Sequence, residues 1–306
     1  MPIKIPNDLP ALKQLEKEKV NLIINETAIQ QDIRPMKIIL LNLMPTKRKT
    51  EVQFARLLGN SPLQVELTLM TTSSYQSKNE EKSYLEKFYI TLEDIKDQFY
   101  DALIITGAPI ETLPFEEVGY WKELQEIILW SKTHVFQRLG VCWGAQALMY
   151  DLYSIQKHQL EKKLFGIFPH DIKPAGIRLM QGFSNNFPMP VSRHTKTKKE
   201  DVLKISDLRI LAESEISGLG MVCDYKRGNI YILNHLEYDS DTLKNEYLRD
   251  LKDISSSRVP ANYFPENNPS KEPENYWRPF AFLLFSNWIN QLYQKTPYDL
   301  SSLLKN

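Results

Sequence analysis

The sequence predicts an α/β fold, a doubly wound and mostly parallel sheet with flanking helices. Three observations carry that prediction. The apolar run "MKIILLNLM" (36–44) is too continuous for a half-exposed strand and suits a sheet covered on both faces; "DALIITG" (101–107) reads as another buried strand and "HVFQRLGV" (134–141) as a further one. Helix-like stretches separate these runs, and alternation of strand with helix is the signature of a parallel sheet. Cys142, the loop "GAPIE" (107–111) and the loop after Met44 all fall at carboxyl ends of strands, where such sheets bind ligands.

Residues 1–35 are polar and helix-prone and read as an extension ahead of a single α/β domain over 36–306. After the first strand, "PTKRKTEVQFARLLGN" reads as an amphipathic helix that Thr46 can cap and Gly59 and Asn60 can end. "LQVELTLMT" alternates as a second strand, and "TLEDIKDQFY" is a short helix opened by Thr91. "YWKELQEIILWSKT" is the helix after the third strand. The fourth strand leads into Cys142 and a further helix, "WGAQALMYDLY". Beyond Asp151 the pattern loosens. "FGIFPHDIKPAGIRLMQGF" and "LRILAES" read as strands, and "GMVCDYKRGNIYILNH" as a hairpin turned at Lys226–Asn229. "DTLKNEYLRDLKDI" is a helix, and a Pro- and Asn-rich surface segment precedes a last helix over 277–292.

The chain has 306 residues, 42% hydrophobic and 25% charged, with 38 basic and 38 acidic side chains. That balance argues against a nucleic-acid partner, which would demand a basic excess or stripe. Two cysteines and no metal-type Cys/His spacing argue against a disulfide scaffold and against a metal centre. The N-terminal stretch has no apolar core of signal-peptide length, and "FAFLLFSNWI" falls short of the ~20 residues a membrane span needs. The expected setting is the cytoplasm, without membrane association.

Cys142, between a strand and a helix, has the context of a nucleophile elbow, a sharp turn that exposes a nucleophile at a helix N-terminus. Helix dipole and free N–H groups favour the reactive thiolate there, and Gly144 and Ala145 relieve crowding behind the turn. The competing reading is plain, since free Cys is among the most buried residue types. A thiol nucleophile needs a base. In "YILNHLEYD", His235 follows an apolar strand and Glu237 lies two residues on, on the same face if the segment is extended. A carboxylate there would hold the imidazole's tautomer and support its charged form. His134 opens a strand, His158, His170 and His194 lie in polar, loop-like stretches where solvation or a local hydrogen bond is the default, and Cys223 reads as core.

The segments "LNLMPTKRKTEVQFARLLGNSPLQVELTLM", "DALIITGAPIETLPFEEVGYWKEL", "CWGAQA", "KLFGIFPH", "SRHT", "EYLRD", "NYFPENNP" and "WRPFAFLLFSNW" occur in order over nearly the whole chain. Together they resemble homoserine O-acyltransferases of the type first named homoserine O-succinyltransferase, which activate homoserine for methionine synthesis. The resemblance implies a class I glutamine-amidotransferase-like fold, a cysteine acyl-enzyme and a homodimer. It implies that Cys142 is the acylated nucleophile, His235 the general base and Glu237 its orienting partner. It also implies that Lys163, Ser192 and Arg249 bind substrate, and that Glu111 governs the acyl donor. Without it, Lys163 and Arg249 read as solvated charges and Ser192 as an ordinary turn residue. The chain departs from the family pattern at Leu236, where Pro is usual, at Val191, where His is usual, and in "RLGVCW".

The expected reaction is ping-pong acyl transfer from acyl-CoA, a co-substrate with no permanently bound cofactor, to the hydroxyl of L-homoserine. Backbone N–H groups of Trp143 and Ala108 are the expected oxyanion donors. Glu111 points to acetyl, because a Glu there is associated with acetyl donors and would repel a succinyl carboxylate. The alternatives are a succinyl donor, a glutamine-hydrolysing amidotransferase, and a binding protein that kept the fold.

Overall fold

A computed structural model of the chain describes residues 3–6, 8–18, 22–23, 34–74, 80–173, 178–253 and 258–305. The strands are β1 (Ile3–Lys4), β2 (Leu22–Ile23), β3 (Met36–Leu41), β4 (Val65–Met70), β5 (Tyr100–Ile105) and β6 (Val135–Val141). They continue as β7 (Lys157–Ile172), β8 (Asn186–Thr197), β9 (Leu208–Ser214), β10 (Gly218–Asp224) and β11 (Ile230–Ile232). The helices are α1 (Ala11–Lys17), α2 (Lys47–Leu58), α3 (Lys82–Phe88), α4 (Leu92–Ile95) and α5 (Trp121–His134). After them come α6 (Trp143–Tyr153), α7 (Lys199–Leu203), α8 (Thr242–Asp253) and α9 (Arg278–Lys295).

Among the described residues, 11 strands form one sheet in the order β2-β1-β4-β3-β5-β6-β11-β10-β9-β7-β8. Pairing is parallel from β2 through to β11 and antiparallel from β11 out to β8. The central strands are covered on both faces, and their alternate residues divide between two apolar clusters. Ile38, Leu40, Ala102, Ile104 and Leu139 pack with Phe54 and Leu58 of α2 and Leu284 and Trp288 of α9. Ile39, Leu41, Leu103 and Ile105 pack with Leu124 and Ile127 of α5 and Ala145 and Leu148 of α6. Two-sided burial is the physical reason these strands carry apolar residues on both faces rather than only at every second position. Strands β3, β5, β6 and β11 are neighbours, so their carboxyl ends open side by side onto one edge of the sheet.

At the amino end, β1 pairs with β4, and Leu9 and Leu15 are buried in the cluster with α2. Helix α4 is opened by a capping box, with the Thr91 backbone N–H donating to Asp94 at 2.8 Å. Among the described residues, no helix is long and apolar enough to cross a membrane.

The antiparallel part differs most from the sequence reading. The polar ribbon β7–β8 is longer than expected, with Phe165 opposite Ser192 and Leu164 opposite Arg193. Strand β8 carries Pro188 and Pro190, which break the usual strand pattern. It lies at the edge of the sheet, where a missing N–H costs no ladder bond. His170, expected in a polar, loop-like stretch with solvation or a local hydrogen bond, is instead fully buried within β7, where its ring keeps a local hydrogen bond to the Phe168 carbonyl at 2.9 Å.

Candidate active site

Strand β6 ends at Val141, and the chain then turns sharply. Cys142 has φ 51° and ψ −116°, a conformation that costs a non-glycine residue about 1–3 kcal/mol, and it directly heads helix α6. The turn is locked by its own backbone: the Cys142 N–H donates to the Ile232 carbonyl at 2.7 Å, and its carbonyl accepts from Ala145 and Gln146 at 3.1 Å. It also requires glycine on both sides. A Cβ on Gly140 would stand 2.6 Å from the Ala145 Cα, and one on Gly144 would stand 2.4 Å from the Ile105 carbonyl oxygen. The signal was present in the sequence as Gly-x-Cys-x-Gly, of which only the second glycine was read as part of the turn. Cys142 is 9% exposed. Cys223, the second thiol, lies in β10, where burial and then the neighbouring Asp224 charge push it up to about 11.

Strand β11 delivers His235 to the same point. Its backbone N–H donates to the Pro190 carbonyl at 2.9 Å, its Nδ1 lies 2.7 Å from Glu237 Oε1, and its ring stacks on Tyr238 at 4.1 Å between centroids. The segment is a turn rather than the extended strand expected from the i, i+2 spacing, yet the two side chains still meet. Burial opposes charge on the imidazole, but the nearby Cys142 and Glu237 outweigh it and raise its pKa well above the usual histidine value. A carboxylate at Nδ1 fixes the proton there and leaves Nε2 to exchange a proton with the thiol. Gly107, after β5, sits between the two partners: a Cβ there would lie 3.4 Å from Cys142 Cβ and 3.7 Å from His235 Cε1.

These residues line a cleft of about 440 Å³ that also includes Met44, Ala108, Glu111, Lys163, Ser192, Glu246, Arg249 and Asp250. Ala108 follows β5, and Trp143 supplies the first N–H of α6, in the turn where a helix leaves donors unpaired. Glu111 Oε1 accepts from the His194 backbone N–H at 2.9 Å, whereas Oε2 is buried without a partner. Burial raises the Glu111 pKa, against the pull of the His194 N–H and the charges of His194, His235 and Lys163.

On the opposite wall, Lys163 reaches Asp250 at 2.7 Å and Glu246 at 3.4 Å, and lies over the Phe165 ring at 3.9 Å. Glu246 also accepts from Ser192 and, at 2.9 Å, from Tyr238. Arg249, 62% exposed at the rim, grips Asp250 with Nη2 at 2.8 Å. Glu246, Asp250 and Tyr238 were not singled out from the sequence. The available signal was the i, i+4 spacing of the two acids on the helix that carries Arg249, which puts both on one face.

A family model described as homoserine O-succinyltransferase matches residues 2–298. The chain belongs to the homoserine O-succinyltransferase family. A protein of Allorhizobium ampelinum named homoserine O-acetyltransferase is 50% identical over 306 residues, covering 100% of this chain and 99% of that relative. A Clostridium novyi protein of the same name is 50% identical over 300 residues, 98% of this chain and 99% of the relative. Among solved structures, a glutamine amidotransferase from Thermotoga maritima matches with a TM-score of 0.57 at 11% identity, covering 85% of this chain and 99% of that one. A glutamine amidotransferase from Methylobacillus flagellatus matches with a TM-score of 0.53 at 11% identity, covering 85% and 95%. The fold is therefore that of class I glutamine amidotransferases. For a homoserine O-succinyltransferase family member, the departures at Leu236 and Val191 fall on side chains buried in the core beside the site.

Proposed function

We propose that the protein transfers an acetyl group from acetyl-CoA to the hydroxyl of L-homoserine through a Cys142 thioester, supplying O-acetylhomoserine for methionine synthesis. One observation carries the reading: Cys142 on a strained turn at a helix N-terminus, beside a buried His235 paired with Glu237, in a cleft whose far wall is built of paired charges. The names of the full-length relatives support acetyl as the donor group.

In the first half-reaction the Cys142 thiolate adds to the thioester carbonyl, and the N–H groups of Trp143 and Ala108 hold the oxyanion. Each such donor contributes a factor on the order of 10²–10³ in rate. The tetrahedral intermediate collapses with loss of the coenzyme A thiolate, which takes the proton held by His235. In the second half-reaction His235 removes the proton of the homoserine hydroxyl as that oxygen attacks the acyl-enzyme, and the Cys142 thiolate leaves. Glu237 keeps the imidazole oriented and supports its charge. Arg249 and Lys163 bind the substrate carboxylate, while Glu246 and Asp250 offer the acceptors that its ammonium group needs, with Ser192 between the two sets.

Incubation with acetyl-CoA alone followed by peptide mass analysis tests this directly. The expected result is one acetyl group on the Cys142 peptide, released on adding homoserine, and none on Cys142→Ser, which also loses turnover. Ammonia release from glutamine without acylation of Cys142 would instead identify an amidotransferase.

A further inference from the structure

Arg193 lies behind the cleft and takes no part in the mechanism above. It is 3% exposed, and its guanidinium donates only to backbone carbonyls: Ser217, Leu219 at 3.4 Å and Leu233 at 3.3 Å. Its Nε is buried without a partner. Among the described residues no carboxylate lies within 4 Å of it, while the neighbouring cations of the cleft are paired, Lys163 and Arg249 with Asp250 and His235 with Glu237. A buried cation without a counterion is strongly disfavoured unless hydrogen bonds and nearby negative charge compensate it.

The backbone shows where that field falls. The Ile232 carbonyl accepts from Cys142 and the next carbonyl, Leu233, accepts from Arg193, so the cation is held one residue along from the anchor of the nucleophile. Two residues further on comes His235, tied to Pro190 of the same strand that carries Arg193. Burial draws Arg193 down to about 10, which leaves it charged at neutral pH, and the negative groups opposing that pull are Cys142 and Glu111.

We propose that Arg193 is a positioning residue for the acyl transfer, a buried cation on β8 that stabilises negative charge on Cys142 while fixing the exit of β11 that carries His235. The proposal rests on Cys142 being the nucleophile. His235 is the cation in direct contact with Cys142 and shares a proton with it, Glu111 is acidic, and His194 faces the cleft from the same strand, so Arg193 adds a second positive charge that does not depend on that shared proton.

The test measures the pH dependence of iodoacetamide alkylation of Cys142 in the substrate-free protein, for wild type, Arg193→Met, Arg193→Gln and Arg193→Lys, with unfolding of each followed in urea. The neutral variants should move the alkylation midpoint upward by about one pH unit or more. Arg193→Lys, which keeps a cation but not the three-carbonyl fork, should recover at least half of that shift while acyl transfer stays slow. A folded neutral variant with the wild-type midpoint overturns the proposal. So does unfolding of both neutral variants with a normal Arg193→Lys, which would make Arg193 a structural clamp. Because alkylation needs neither substrate, a negative result leaves acyl transfer by Cys142 standing, whereas an unacylated Cys142 in the acetyl-CoA experiment removes the basis of both.

Discussion

Glu111 has one oxygen anchored to the His194 N–H and the other buried without a partner, an unusual state for a loop acid. A succinyl chain on Cys142 would bring a second carboxylate into the cleft that Glu111 lines, and would need room for one more methylene and the carboxylate itself. Two like charges ~4 Å apart repel by about 1 kcal/mol in water and roughly 4 at an effective dielectric of 20. At ~1.4 kcal/mol per decade this discriminates several-fold to several hundredfold before steric exclusion is added. The expected outcome is a kcat/KM for acetyl-CoA well above that for succinyl-CoA in the wild type, with the preference shrinking or reversing in Glu111→Gly. A wild type that prefers succinyl-CoA would show the donor assignment wrong while leaving the acyl-enzyme intact. The sequence could place Glu111 in a loop at a strand end, but only the fold could bury one of its oxygens.

At the scale of elements, the turn between β6 and α6 depends on glycine at two positions. The Gly144 position has no freedom to accept a methyl group, since a Cβ would meet the Ile105 and Thr106 carbonyl oxygens at 2.4 and 2.5 Å, both parts of the rigid sheet end. Gly144→Ala should cost about 1–3 kcal/mol by overpacking. It should also lower kcat roughly 100-fold, because a shift of about 1 Å in a reacting group has that effect. Urea unfolding and steady-state rates measure the two losses, and an Ala variant with wild-type values of both would show that the turn tolerates a side chain. The elements around this turn were legible because β3, β5 and β6 carry apolar residues on both faces, despite single polar residues such as Asp101 and Arg138. Strand β8 was not, since Pro188 and Pro190 suppress the strand pattern. Their position at the sheet edge removes the penalty, and the Pro190 carbonyl is put to use holding His235.

At the scale of the whole molecule, the polar layer under the site links folding to pH. His170 is buried with Nδ1 2.9 Å from the Phe168 carbonyl, and with Nε2 3.0 Å from Ser217 Oγ and 2.9 Å from Asn234 Nδ2, so burial draws its pKa down to about 4. The unfolded chain binds this proton near pH 6.5 and the folded one does not until near 4. Stability from this group is therefore full above the unfolded value and falls through that window as pH drops, by roughly 2 kcal/mol at pH 5. His235 acts in the opposite sense: its raised pKa contributes stability that is complete below about 6.5 and lost as pH rises through the folded value. Comparison of variants separates the two. The penalty of His170→Gln in urea unfolding should shrink by about 2 kcal/mol between pH 7.5 and 5. A penalty independent of pH would mean that His170 is not held neutral in the fold.

By itself the sequence determined the class of fold, the Cys142 turn and the candidate base, because each is written locally. An apolar run marks a covered strand, a thiol between strand and helix marks an elbow, and His with Glu two residues on marks a possible pair. The family words in "KLFGIFPH", "SRHT" and "EYLRD" added Lys163, Ser192 and Arg249 as candidates without saying what they touch. Only the tertiary structure decided that these three converge on Glu246 and Asp250, that Glu237 meets His235 through a turn, and that His170 and Arg193 are interior groups. The reason is physical. Burial and pairing of a polar side chain depend on which distant strands lie against it, and strand order here places β7 and β8 far from their positions in the chain.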